Sequence, residues 1–90
     1  MEQAEVTVEF YGIPRQRAGR SELSVKAGSV AEVLSAVQCA CPSLKDLVQP
    51  DGRLAPHYLF SSDGRRFVQD VTEAVRPGDR FVLLSADVGG

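Results

Sequence analysis

The stretch Val75-Arg76-Pro77-Gly78-Asp79-Arg80-Phe81-Val82-Leu83-Leu84 decides the fold. Pro77-Gly78 is turn chemistry, because proline presets one backbone angle and glycine accepts the positive φ that a tight turn requires. Asp79 is placed to cap that turn. Arg80 to Ser85 then reads as a strand whose run Phe81-Val82-Leu83-Leu84 is apolar without a break. Such a run suits a strand flanked by neighbours. The last strand is therefore expected in the middle of a sheet, beside the first. Successive side chains of a strand point to opposite faces. If Phe81 and Leu83 face a covering helix, Val82 and Leu84 face away from it. An apolar outer face of this kind suits docking onto a partner.

Working outward, Glu5 to Tyr11 alternates, with Val6, Val8 and Phe10 on one side and Thr7 and Glu9 on the other. That is a half-buried strand. Gly12 and Pro14 stop it, and a basic loop is expected from there to Arg20. Ser21 to Val25 alternates again and closes a hairpin, with Leu23 and Val25 inward. Ala27-Gly28 is a turn. Ser29 followed three residues on by Glu32 is a capping-box pattern. Val30, Val33, Leu34, Val37 and Cys41 then fall on one face of an amphipathic helix. Pro42 ends it, since the residue before proline avoids helical angles. Leu44, Leu47 and Val48 are expected to pack down from a short turn. Tyr58 to Ser61 reads as a third strand, Asp63-Gly64 as a hairpin turn, and Phe67-Val68 as the returning strand.

The order is strand, strand, helix, strands, strand. It predicts one α+β domain, a mixed sheet of four to five strands packed on one main helix. Ninety residues are enough for a single small core. A net charge of −2 argues against a general nucleic-acid binder. No apolar stretch is long enough to span a bilayer and no leader pattern opens the chain, so a cytoplasmic, non-membrane protein is expected.

The chain closes on Gly89-Gly90 after the spacer Ser85-Ala86-Asp87-Val88. Glycine lacks a Cβ, so two of them can thread a channel that other residues would block. Chain ends not tied into a sheet or helix are mobile. The expected organisation is a domain over residues 1–85 and a flexible tail over residues 86–90. Such a tail could carry its own α-carboxylate into another protein's active site.

These pieces together resemble the MoaD/ThiS sulfur-carrier family, whose fold is the ubiquitin-like β-grasp. Val8-Glu9-Phe10-Tyr11-Gly12 with Arg15 and Gly19 is similar to the family's first strand and following loop. Val75 to Leu84 is similar to its proline–glycine–aspartate turn and last strand, and Gly89-Gly90 stands where the family ends. The resemblance implies that a ubiquitin-activating-type adenylyltransferase uses ATP to adenylate the Gly90 carboxylate. A sulfur donor then displaces AMP to leave a thiocarboxylate. It further implies that Gly89 gives the slim approach, and that Leu84, Val82, Arg15 and Val88 meet partners. The carrier itself would bind no cofactor and contribute little catalysis. The most similar branch is the small subunit of molybdopterin synthase, with a larger synthase subunit receiving the tail.

Carriers for thiamine thiazole or cysteine synthesis fit the residues as well. So does a ubiquitin-like modifier, in which a lysine amine attacks the activated carboxyl. A plain interaction domain with an incidental Gly-Gly is the remaining reading. The spacer departs from the neutral, proline-rich form common in the molybdopterin branch, and Asp87 in a buried tail would call for a matching cation in the partner.

The other reactive side chains point to structure. His57 is the only histidine and has no partner motif. Cys39 and Cys41 lack the second pair that a zinc site needs, and Cys41 continues the helix stripe as a buried thiol. Arg15, Arg17, Arg20 and Arg65-Arg66 read as solvated loop charges, with phosphate or an acidic partner as the alternative ligand. Lys26 and Lys45 are the only lysines, so few sites exist for isopeptide links to the chain itself.

Overall fold

The computed structural model describes residues 3–44, 46–63 and 66–86. The elements are β1 (Ala4–Phe10), α1 (Gly12–Ala18), β2 (Glu22–Ala27), α2 (Val30–Ala40), a 3-10 turn (Pro42–Leu44), β3 (Tyr58–Ser62), β4 (Arg66–Phe67) and β5 (Arg80–Ser85). They form a five-stranded sheet in the order β2-β1-β5-β3-β4. β1 and β5 run parallel, and every other neighbouring pair runs antiparallel. The apolar run of β5 is thus central, between the first strand and the third.

The inward residues are those that alternation assigns. Val6, Val8 and Phe10 of β1, Phe60 of β3, and Phe81 and Leu83 of β5 are all buried. They meet Val30, Val33, Leu34 and Val37 of α2, with Cys41 just past its end. Leu44 and Leu47 close the same core from the 3-10 turn and the segment after it. A layer of one sheet on one helix buries these side chains, and apolar burial is the dominant favourable term in folding.

Local signals place the boundaries. The Ser29 hydroxyl accepts from the Glu32 N–H (3.3 Å), and the Glu32 carboxylate accepts from the Gly28 N–H (2.6 Å). That reciprocal cap starts α2. The turn before β5 has the Asp79 N–H donating to the Arg76 carbonyl (3.1 Å), with Gly78 at φ 85°. A positive φ at the third residue of a proline-led turn is what glycine supplies. The Asp79 carboxylate also accepts from the Arg76 N–H at 2.8 Å, so it caps the turn as expected.

Two expectations are corrected. The segment between β1 and β2 is not a loop: Gly12–Ala18 forms α1, and Arg15 lies in its last turn. Pro14 sits in the first turn, where its missing N–H costs no helical bond. Gly19 ends the helix in the left-handed region at φ 74°, its N–H donating to the Arg15 carbonyl. A seven-residue helix offers too short a periodic pattern to stand out from a basic loop. The returning strand is also shorter than its signal. β4 is Arg66–Phe67, and Val68 lies beyond it, although its N–H still bonds the Phe60 carbonyl (2.7 Å). Asp63 has a φ of 58°, as a hairpin turn requires. Its expected partner Gly64 lies outside the described residues.

Candidate functional site

Val82 and Leu84 are half-buried on the sheet face opposite α2, while Phe81 and Leu83 are buried beneath it. The register extends that outer face to both sides. Leu84 pairs with Leu59 of β3, and Val82 pairs with Ser61, which in turn pairs with Phe67 of β4. On the other side Tyr11 donates its N–H to the Leu83 carbonyl (3.1 Å) and continues the β1–β5 ladder, coming into register with Leu84. Phe67 is 59% exposed and Tyr11 47%. The result is an apolar strip, Tyr11–Leu84–Leu59 with Val82 and Phe67 beside it, on the strand that leads to the C-terminus.

Leu84 and Val82 were anticipated there; Tyr11, Leu59 and Phe67 were not. Their signal is the register, which brings residues far apart in sequence onto one face. Leu59 and Phe67 also line a cavity of about 310 Å³ with Leu54, Ala55 and Pro56.

Charge borders the strip on the β1 side. Arg80 forms ion pairs with Glu9 and with Glu22 (3.6 Å). The Tyr11 hydroxyl donates to the other Glu9 oxygen at 2.8 Å. The Arg80 hydrogen bond, with Tyr11 adding to it, holds the Glu9 carboxyl below the usual carboxylate range. The hydrogen bond to Glu9 raises the Tyr11 phenol. These groups are solvent-exposed, so the pairing orients side chains more than it stabilises the fold.

Arg15 is not on the strip's β3 side. It lines shallow hollows around α1, one with Gln16, Arg20 and Ser21 and another with Glu9 and Tyr11. It therefore flanks the β1 end of the strip. Arg17, on the same helix, pairs instead with Asp46 and Tyr58.

The end of β5 is held from below. Tyr58 pairs with Ser85, and the Ala86 N–H donates to the His57 carbonyl at 2.9 Å. Val88, Gly89 and Gly90, the proposed tail residues, lie outside the described residues. Cys41 is buried, and desolvation pushes its thiol up, the opposite of activation. Among the described residues no three His, Cys, Asp or Glu side chains are grouped to hold a metal. No helix among them is long and apolar enough to cross a membrane.

Comparison with solved structures identifies the fold that carries this arrangement. The crystal structure of SAMP1 from Haloferax volcanii superposes with a TM-score of 0.84 at 23% identity, covering 97% of this chain and 100% of that one. The solution structure of small archaeal modifier protein 1 from Methanosarcina acetivorans gives 0.84 at 22% identity, covering both chains in full at 100%. A Pyrococcus furiosus protein assigned as molybdopterin converting factor, subunit 1, gives 0.75 at 19% identity over 91% of this chain and 97% of that one. The chain has the ubiquitin-like β-grasp fold. At these identities the likeness establishes the β-grasp itself, and a small β-grasp of this length matches those chains almost end to end. No protein-family model and no curated protein matches the sequence.

Proposed function

We propose that this β-grasp protein is a sulfur carrier, working through a thiocarboxylate on Gly90. The observation that carries the reading is the continuity of β5. One strand bears the apolar strip at Val82 and Leu84, is fixed at Ala86 by the His57 carbonyl, and is followed by four residues to Gly90. Four residues span at most about 13–14 Å. A partner docked on the strip would hold its reaction centre within that radius of Ala86.

The chemistry follows from the carboxylate's weakness as an electrophile. Attack of a carboxylate oxygen on the α-phosphorus of ATP, with loss of pyrophosphate, gives a mixed anhydride with AMP. Hydrosulfide released by a donor then attacks the acyl carbon, AMP leaves with the displaced oxygen, and loss of the sulfur's proton leaves a thiocarboxylate on Gly90. An adenylating partner would supply the ATP site and a sulfur donor the sulfur. The acceptor we favour is a pterin precursor of the molybdenum cofactor, in a larger synthase subunit that receives the tail. The Pyrococcus furiosus neighbour's assignment supports that choice. The thiamine-thiazole and cysteine carriers fit the same geometry. A cytoplasmic setting belongs to this reading.

A second reading has its own support. Two neighbours at TM-score 0.84 are named small archaeal modifiers. In a modifier, a lysine amine on a target attacks the same adenylate-derived carboxyl, and an isopeptide bond replaces the thiocarboxylate.

The test is the intact mass of the purified chain after incubation with ATP, a sulfur donor and the host's activating enzyme. One oxygen-for-sulfur exchange mapped to Gly90 is expected, and none after deletion of Gly90. Isopeptide-linked products without that exchange would favour the modifier. An unchanged mass, with the enzyme competent on another carrier, would overturn both.

A further inference from the structure

Strand β2 is one edge of the sheet, with β1 as its neighbour. The Phe10 N–H donates to the Ser21 carbonyl at 2.9 Å, which fixes the phase of the β1–β2 ladder. Leu23, Val25 and Ala27 therefore turn their N–H and C=O groups toward Val8, Val6 and Ala4. Glu22, Ser24 and Lys26 turn theirs off the edge. The far side of β1 agrees with this phase, since Thr7 and Tyr11 donate across to the Asp79 and Leu83 carbonyls. Among the described residues, no backbone group bonds the outward N–H and C=O groups of Glu22, Ser24 and Lys26. The opposite edge is blunted, because β4 is only the two residues Arg66–Phe67. β2 keeps six residues, Glu22–Ala27, in unbroken register and contains no proline. An unpaired edge of that length is a template for another strand.

The side chains select which strand. Glu22, Ser24 and Lys26 are exposed on the face turned away from α2, while Val25 and Ala27 are buried on the other. A two-fold axis through Ser24 would lay a second β2 antiparallel to the first. Glu22 then stands opposite Lys26 of the second copy, and Lys26 opposite the second copy's Glu22. Half-buried Leu23 meets Val25 across the seam on the α2 side. Moving the axis to Leu23 or to Val25 removes the Glu22–Lys26 match. A charged side chain such as Lys26 ordinarily keeps foreign strands off an edge, and this register is the one that pairs it.

We infer that β2 is a self-association surface, through which two copies of this chain join edge to edge about a two-fold axis at Ser24. Such an interface is isologous, so each contact occurs twice. Main-chain bonds from three residues of each strand give affinity, and the two Glu22–Lys26 contacts flanking Ser24 set the register. A single strand pair is a small interface, so a dissociation constant of about 0.1–1 mM is expected. The outer faces of both copies lie on the same side of the joined sheet. Val82 and Leu84 stay uncovered, so self-association does not compete with docking on the strip. The inference does not depend on what chemistry the chain end performs.

The experiment is sedimentation equilibrium of the purified full chain from about 20 µM to about 2 mM, a range that brackets the expected constant. Amide NMR spectra over the same series locate the contact. The average mass should rise toward a dimer, with the amides of Glu22, Ser24 and Lys26 shifting as it does. Lys26→Glu alone, or Glu22→Lys alone, sets like charges opposite each other at both contacts and should weaken association at least about fivefold. An equimolar mixture of those two variants restores both opposite-charge contacts, and should associate at least as tightly as the native chain. Recovery on mixing also shows that neither variant lost association by unfolding, and a melting curve of each checks this separately. A native chain that stays monomeric throughout overturns the inference. So does association that both single variants retain, or a mixture of folded variants that stays monomeric. Concentration-dependent shifts at Val82 and Leu84 in place of the β2 amides would put the contact on the strip and overturn the edge.

Discussion

Leu84 of β5 and Leu59 of β3 stand opposite each other on the sheet face turned away from α2, and neither is part of the buried core. A glutamate at position 84 would place a charge in the centre of an apolar contact, where burying it unpaired is costly. Leu84→Glu is therefore expected to weaken the complex with the activating enzyme at least tenfold, or about 1.4 kcal/mol. Its own melting transition should move by less than about 1 kcal/mol, since a half-exposed position carries little core packing. Isothermal titration beside a denaturation curve separates the two effects. Undiminished affinity would remove the strip from the docking reading.

Behind that face, Phe81 stacks on Phe60 with ring centroids 4.9 Å apart and planes 11° from parallel. The pair joins β5 to β3 inside the core. Phe81→Ala removes a buried ring and leaves a cavity, which costs about 3–5 kcal/mol. Small domains hold only about 5–15 kcal/mol in total, so this variant should unfold at a much lower urea concentration. A midpoint within error of the native value would show that the stack contributes nothing.

The β-grasp was legible in the sequence where its signals are local or periodic. The Ser29–Glu32 cap, the stripe from Val30 to Cys41, and the Pro77-Gly78-Asp79 turn each act over a few residues, and each appears where its chemistry puts it. Helix α1 was not legible, because Gly12 and Pro14 are strand-stopping residues as well as helix-start residues. Only the packing of α1 against β5 and the 3-10 turn distinguishes the two uses. The outer strip was half legible. Alternation along β5 gives Val82 and Leu84, but Tyr11, Leu59 and Phe67 join them through strand order and register, which no single stretch encodes. The hydrogen-bonded cluster of Arg17, Asp46, His57 and Tyr58 was invisible for the same reason, since its members meet only after the chain has folded.

The two cysteines should differ sharply toward an alkylating agent. Cys39 is exposed on α2, whereas Cys41 is buried against the core with its thiol pushed up by desolvation. The thiolate is the reactive form, so a buried thiol with a raised pKa is inert. Iodoacetamide at pH 8 should label Cys39 first, leaving Cys41 unmodified until denaturant is added. Peptide mapping of the two sites reads this directly. Equal labelling rates in the folded protein would contradict the burial of Cys41.

Acid stability should be governed by carboxylates that are held charged in the fold. Hydrogen bonds from Arg80 and Tyr11 lower Glu9, and those from Thr72 lower Asp70. Asp46 is lowered despite its desolvation, through His57 and Tyr58. A carboxylate with a depressed folded pKa adds stability that is present above its unfolded value and lost as pH falls through the folded one. Unfolded carboxylates titrate near about pH 4. The melting temperature should therefore hold steady from neutral pH to about that point and decline below it. Glu9→Gln removes one of the titrating groups and should make that decline shallower, with the neutral-pH melting temperature changed little, because the Glu9–Arg80 pair is exposed and screened. Thermal scans of both chains from pH 7 to pH 2 measure the slope. A Glu9→Gln curve parallel to the native one throughout would show that the Arg80 contact does not persist in solution.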